Sequence, residues 1–247
     1  MTKTYEPLLA LSLAAAAALL AGCGGGGGGN DDPAPVLDTT QLQGRWVTGA
    51  GAAKAYTAVV LPGGAGSGAA NAWLLAQDAS RLVKLTIKND GSAAGSAYAL
   101  SQGGARQAVS GTATAALTAS PKTITVNDAV SGATQFSQTD VMATPAVQAD
   151  ATGAWTATVG GQAATLSWTV SGTGAVTGSS TTGCSYAGQI TALATASAYN
   201  VQASESCPDG SKTTYNGIAT LSAAKSALTA VVTSANDAQG AALFFSK

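Results

Sequence analysis

The sequence predicts an all-β protein, built of short antiparallel meandering strands that form one or two small barrels or sandwiches. Three observations carry that prediction. From Gln41 onward, apolar side chains recur with period two, as on a strand with one packed and one wet face. Glycine and Asx pairs interrupt these runs at intervals of about 10 to 14 residues, a spacing suited to consecutive hairpins. The Ala-rich stretches hold too much Thr, Gly and Ser for helices and lack a 3.6-residue period.

Residues 1–22 read as an export leader. Lys3 gives a weakly basic start, Leu8 to Ala21 is apolar, and Ala21 and Gly22 are the small residues a signal peptidase needs. The apolar run is about 14 residues, whereas a membrane-spanning helix needs about 20. Leu20-Ala21-Gly22-Cys23 resembles the lipobox of bacterial lipoproteins. That resemblance implies cleavage before Cys23, diacylglycerol on its thiol and a fatty acid such as palmitate on its amine. Three chains on one residue hold far more firmly than one, at about 0.8 kcal/mol per buried methylene. Gly24 follows where an aspartate would favour the inner membrane, so the resemblance points to the outer membrane, periplasmic or surface-exposed.

Residues 23–40 read as the lipidated cysteine and a flexible spacer. Gly24 to Gly29, Asn30, Asp31, Asp32 and Pro33 offer no apolar side chain to bury. A phosphate-binding loop would need a preceding strand, a following helix and usually a lysine, none of which is there. Asp31 and Asp32 have no further ligands in sight and suggest no metal site.

A first β domain is expected over residues 41–143. Val83, Leu85 and Ile87 alternate with Lys84, Thr86 and Lys88, and Asp90-Gly91 follows as a turn. Met142 to Asp150, containing Pro145, reads as a connection. A second β domain is expected over 150–247. Trp155, Ala157 and Val159 alternate with threonines. So do Ala164, Leu166, Trp168 and Val170, then Tyr199, Val201 and Ala203, then Leu228, Ala230 and Val232, with polar residues between. Gly160-Gly161, Ser171-Gly172 and Asp209-Gly210 supply turns. Gly44-Arg45-Trp46 is echoed by Gly153-Ala154-Trp155, each opening about 100 residues with room for some eight strands, which suggests internal duplication.

If Cys23 carries lipid, Cys184 and Cys207 remain as a pair in an oxidising compartment and are expected to form a disulfide. Closing that loop should remove roughly 3 kcal/mol of unfolded-state entropy. The bond would clamp the open end of a hairpin running Cys184 to Leu193 and Ala198 to Cys207. Strand count, size and tether resemble the lipid-anchored barrel lipoproteins of the lipocalin-like and factor-H-binding kind; that resemblance implies a small closed barrel and no particular ligand. A membrane-spanning barrel fits less well, because it needs longer strands, an apolar outer band and aromatic girdles.

Composition excludes several chemistries. Net charge is −1, from 11 basic and 12 acidic residues, with no basic stripe for nucleic acid. The chain contains no histidine, which rules out a Ser-His-Asp triad and any imidazole-ligated zinc. Ser222-Ala223-Ala224-Lys225 matches a Ser-x-x-Lys pattern, but it falls in a turn and lacks its companion motifs. Gly172-Thr173-Gly174 with Gly178 reads as a hairpin turn rather than a dinucleotide loop. Trp46, Trp73, Trp155 and Trp168 sit at strand spacing and are expected in the core.

The expected function is therefore a non-enzymatic binding or structural role for an outer-membrane-anchored lipoprotein of the bacterial cell envelope. Its partners would be the membrane, through the lipid, and an envelope or extracellular protein; no cofactor, metal or nucleic acid is expected. One alternative is a carrier of a small apolar ligand, motivated by the small inward residues Gly188, Ala192, Gly217 and Ala219. The other is a histidine-independent serine hydrolase using Ser222.

Overall fold

The computed structural model describes residues 36–49, 51–52, 54–64, 66–100, 106–128, 132–158 and 165–247, with backbone alone at 106–108. The leader, Cys23, the glycine spacer with Asp31 and Asp32, and the run Val159, Gly160, Gly161 and Ala164 lie outside the described residues.

Sixteen antiparallel strands close into two eight-stranded up-and-down barrels. Barrel 1 comprises β1 (Gly44–Thr48), β2 (Tyr56–Pro62), β3 (Ala69–Ala76), β4 (Arg81–Lys88), β5 (Ser92–Ala99), β6 (Arg106–Ala119), β7 (Lys122–Asp128) and β8 (Gly132–Asp140), and β1 pairs with β8 to close it. Barrel 2 comprises β9 (Gly153–Thr158), β10 (Thr165–Val170), β11 (Ala175–Ser180), β12 (Ser185–Ala192), β13 (Tyr199–Ser206), β14 (Lys212–Leu221), β15 (Ala227–Ser234) and β16 (Gln239–Ser246). Its seam pairs Phe245 with Ala157 and Ser246 with Thr156. Closure removes free sheet edges, which matters in a chain with so few charges to guard them.

The two barrels are also one hydrogen-bonded system, because β16 pairs with β6 at Gln239↔Gln107 and Gly240↔Arg106. This explains why β6 runs to 14 residues where short strands were expected. Its start reaches barrel 2, its middle pairs with β5 and its end pairs with β7.

Alternation puts apolar residues inside each barrel. Trp46, Val60, Leu74, Leu85, Ile87, Ile124 and Phe136 fill barrel 1. Trp155, Leu166, Trp168, Val176, Ile190, Tyr199 and Phe245 fill barrel 2. The outer face of barrel 2 carries Ser167, Thr169, Thr177, Asn200, Gln202, Ser204, Thr214 and Asn216, all exposed. This is the reverse of a lipid-embedded barrel, whose outward residues form the apolar band.

Strict alternation fails where the barrels meet. Val59, Leu61, Trp73, Leu82 and Tyr98 point out of barrel 1, Ile218 and Val231 point out of barrel 2, and all are buried together with Met142, Ala196 and Ala198. The run Leu228, Ala230, Val232 does face inward as expected, but Val231 between them is buried too. A polar knot borders this interface. Lys84 Nζ lies 2.8 Å from Asp237 Oδ1, the Thr233 hydroxyl donates to the same oxygen at 2.6 Å, and the Tyr98 hydroxyl donates to the Asp237 carbonyl at 2.9 Å.

The folded unit starts earlier than composition suggests. Residues 36–40 were expected in the spacer, yet the Leu37 amide donates to the Asn89 carbonyl and Asp38 caps a 3-10 turn over Thr39–Leu42. Thr39 and Leu42 are buried. One capping carboxylate and two leucines anchor this segment, too few residues to register in a compositional reading.

Candidate functional site

The two Gly-x-Trp markers occupy equivalent places. Each follows a single short helical turn, Thr39–Leu42 in barrel 1 and α1 (Gln148–Ala151) in barrel 2. Each glycine has positive φ, +147° at Gly44 and +128° at Gly153. The Trp46 indole N–H donates to the Leu42 carbonyl at 2.9 Å, and that of Trp155 to the Ala151 carbonyl at 2.7 Å. Both rings are buried and each carries a lysine nearby: Lys122 Nζ lies 5.8 Å from the Trp46 ring centre, and Lys247 Nζ 4.3 Å from that of Trp155. Helical turn, glycine and indole form one unit at the start of each barrel's first strand, here called the plug. Trp168 is buried beside Phe245, ring centres 4.7 Å apart, and Trp73 is buried between the barrels. All four tryptophans are core residues.

Cys184 and Cys207 form a disulfide. They flank the β12–β13 hairpin, whose register runs from Ser185↔Ser206 to Ala192↔Tyr199, so the bond clamps its open end. Two positions inside it, Glu205 takes an inward-facing register and accepts a hydrogen bond from the Tyr186 hydroxyl. Burial and the Glu205 carboxylate push the Tyr186 phenol well above its ordinary range. Cys184, Glu205 and Cys207 lie within 4.8 Å of one another, but the disulfide consumes both thiolates and leaves one carboxylate, too few ligands for a metal.

Ser222 and Lys225 do not form a nucleophile–base pair. The Ser222 hydroxyl oxygen accepts from the Ala227 amide at 3.1 Å in the β14–β15 turn, while Lys225 Nζ is 2.8 Å from Asp150 Oδ2. Ser171 to Gly174 make the β10–β11 turn, with φ +86° at Gly174.

The inward glycines open no lumen. A Cβ at Gly188 would strike the Gln202 carbonyl oxygen, and one at Gly217 the Val231 carbonyl oxygen. These glycines let adjacent strands close in on each other and bend the sheet tightly. In barrel 1 the void among Trp46, Val60, Leu85, Ile124 and Phe136 measures about 10 Å³, room for one water at most.

One concavity lies on the outer face instead. A groove of about 310 Å³ crosses β12, β13 and β14, lined by Gln189, Thr191, Asn200, Gln202 and Asn216, with the chain at Val201 and Gly217 as its floor. Gln189, Gln202 and Asn216 stand in one cross-strand row, and Thr191 and Asn200 in the next. Sequence reasoning missed both this row and the Tyr186–Glu205 pair. The signal was present as Asn and Gln alternating with apolar residues on neighbouring strands, but single polar residues on a wet face carry no mark that separates a site from ordinary surface.

No protein-family model matches this chain, and no curated protein sequence does. One solved structure shows a distant likeness: a Bacteroides fragilis NCTC 9343 protein described only provisionally as an outer membrane protein. It is 17% identical over 85% of this chain and 99% of its own, with a TM-score of 0.26. A likeness that shallow supports no functional argument.

Proposed function

We propose that this chain is an outer-membrane lipoprotein whose paired barrels act by non-enzymatic binding or as structural modules in the bacterial envelope. The observation that carries the reading is the lipobox-like sequence Leu20 to Cys23, set before a folded unit with apolar barrel interiors and a polar outer face on barrel 2. Such a unit is at home in water and needs a separate anchor to stay at a membrane. Its filled interiors leave the outer faces as working surface, which favours binding over transport; a carrier would need a lumen that barrel 1 lacks. The positions of Ser222 and Lys225 give hydrolysis no support.

Mass analysis of the mature amino terminus tests the reading. A chain beginning at Cys23 and carrying diacylglycerol and an amide-linked acyl group is the expected result, with release into the soluble fraction for Cys23→Ala. An uncleaved or unmodified terminus refutes it. Protease treatment of intact cells then assigns the face: loss of the barrels places them outside, protection places them in the periplasm.

A further inference from the structure

We infer that the groove across β12, β13 and β14 is a binding site for a neutral oligosaccharide. The outward residues of the groove are amides and one hydroxyl, and no ionisable side chain lines it. Amides and sugar hydroxyls match: each offers donor and acceptor together, and a row of amides can serve successive hydroxyls in both senses. Gln189 gives one of its two N–H groups to the Thr173 carbonyl at 2.6 Å and keeps the other N–H and its carbonyl oxygen. Among the described residues nothing is hydrogen-bonded to the side-chain amides of Asn200, Gln202 or Asn216, so those three remain wholly available to a ligand.

Gly188 and Gly217 lie beneath this surface, on the strands that flank β13, and each allows the next strand's carbonyl to take the space a Cβ would fill. Exposed Gln202, Asn200 and Asn216 are thus presented on a rigid, deeply hydrogen-bonded sheet rather than on loops, which limits the ordering cost of binding. An anionic glycan would find no cation among the lining residues, and an apolar ligand would leave the amides unpaired. No aromatic ring lines the groove, so stacking is absent and the affinity is expected to be weak, with Kd on the order of 1 mM.

The inference is separate from the tether: lipidation is read from the terminus, and sugar binding from the folded unit. The test is ligand-observed saturation-transfer NMR on the full chain purified from its host, with maltotriose, galactotriose and chitotriose as neutral probes and trigalacturonate as the charged control. Saturation transfer to at least one neutral trisaccharide is expected. Kd should rise at least tenfold in the double variant Gln202→Ala, Asn216→Ala, whose thermal unfolding should match that of the parent because both residues are exposed. Lys212→Ala, an exposed change at the start of β14 and outside the groove, should leave binding unchanged. No transfer from any neutral probe at about 10 mM, tenfold above that Kd, overturns the inference. So does transfer that survives the double variant, or transfer seen with trigalacturonate alone.

Discussion

The two barrels share a plug and differ in how they are held together. Both start from a helical turn, a positive-φ glycine and a tryptophan whose indole reaches back four residues to a helix carbonyl. Beyond that, barrel 1 is filled mainly by aliphatic residues, with Trp46 and Phe136 as its buried aromatics. Barrel 2 buries Trp155, Trp168, Tyr199 and Phe245, uses Gly178, Gly188 and Gly217 where strands approach closely, and adds the disulfide. Larger side chains in the same eight-strand frame need compensating glycines. The plug, not the filling, is what the two halves have in common, and it is where a duplication would leave its clearest trace.

Removing the plug is the strongest test of that equivalence. Trp46→Ala and Trp155→Ala should each cost about 3–5 kcal/mol, from the lost ring and the cavity left behind. Urea unfolding followed by far-ultraviolet circular dichroism would measure both. Equal losses support equivalent roles, whereas a loss under about 1 kcal/mol at either site would show that its indole does not hold that plug together.

The disulfide should separate the halves. Cys184→Ser with Cys207→Ser is expected to cost roughly 3 kcal/mol by the loop-entropy argument, all of it in barrel 2. Hydrogen exchange provides the local readout: amides of β12 and β13 should lose protection while those of β2 and β3 keep theirs. Equal loss in both barrels would mean that the shared β6–β16 pairing and the buried interface make the pair unfold as one unit.

Glycine positions offer a smaller effect with a matched control. Gly217→Ala puts a methyl against the Val231 carbonyl oxygen, and Gly95→Ala in barrel 1 puts one against the Lys84 carbonyl oxygen. Each should destabilise by about 1–3 kcal/mol through overpacking. Gly111→Ala, on β6 with open space around its Cβ, should change stability by less than about 0.5 kcal/mol. A silent Gly217→Ala would show that β14 and β15 are not pressed together there.

Much of the fold was legible because its causes are local. Period-two alternation in Leu166, Trp168 and Val170, turn pairs such as Asp90-Gly91, and the cysteines bracketing one hairpin each act within a few residues of chain. In the turns the carboxylate accepts the amide two residues on, Asp90 from Ser92 at 2.8 Å and Asp209 from Ser211 at 2.9 Å, with φ +79° at Gly91 and +84° at Gly210. What escaped depends on surfaces meeting across long sequence separations. Leu82 and Val231 are outward residues that are buried because another barrel covers them, and no periodicity within one strand encodes the neighbour. The amide row is hidden for the same reason: Gln189, Gln202 and Asn216 become adjacent only through register.

The smallest expected effect tests the seam between the barrels. Asp237 is half-exposed; burial favours its neutral form, but the hydrogen bonds from Lys84 and Thr233 outweigh this and hold the carboxyl below the usual range. A depressed folded-state pKa means the contribution is present above the unfolded value of about 3.9 and is lost as pH falls through the folded one. Solvent screening keeps it under about 1 kcal/mol. Asp237→Asn suits this test because asparagine tolerates the positive φ of +54° found there. The variant should unfold slightly more easily at pH 7, and the gap to the parent should close as pH falls from the unfolded value through the lower folded-state pKa. A gap that persists in acid would mean that the interface is held by the apolar contacts of Leu82, Tyr98, Ile218 and Val231, with the Lys84–Asp237 pair contributing nothing through its charge.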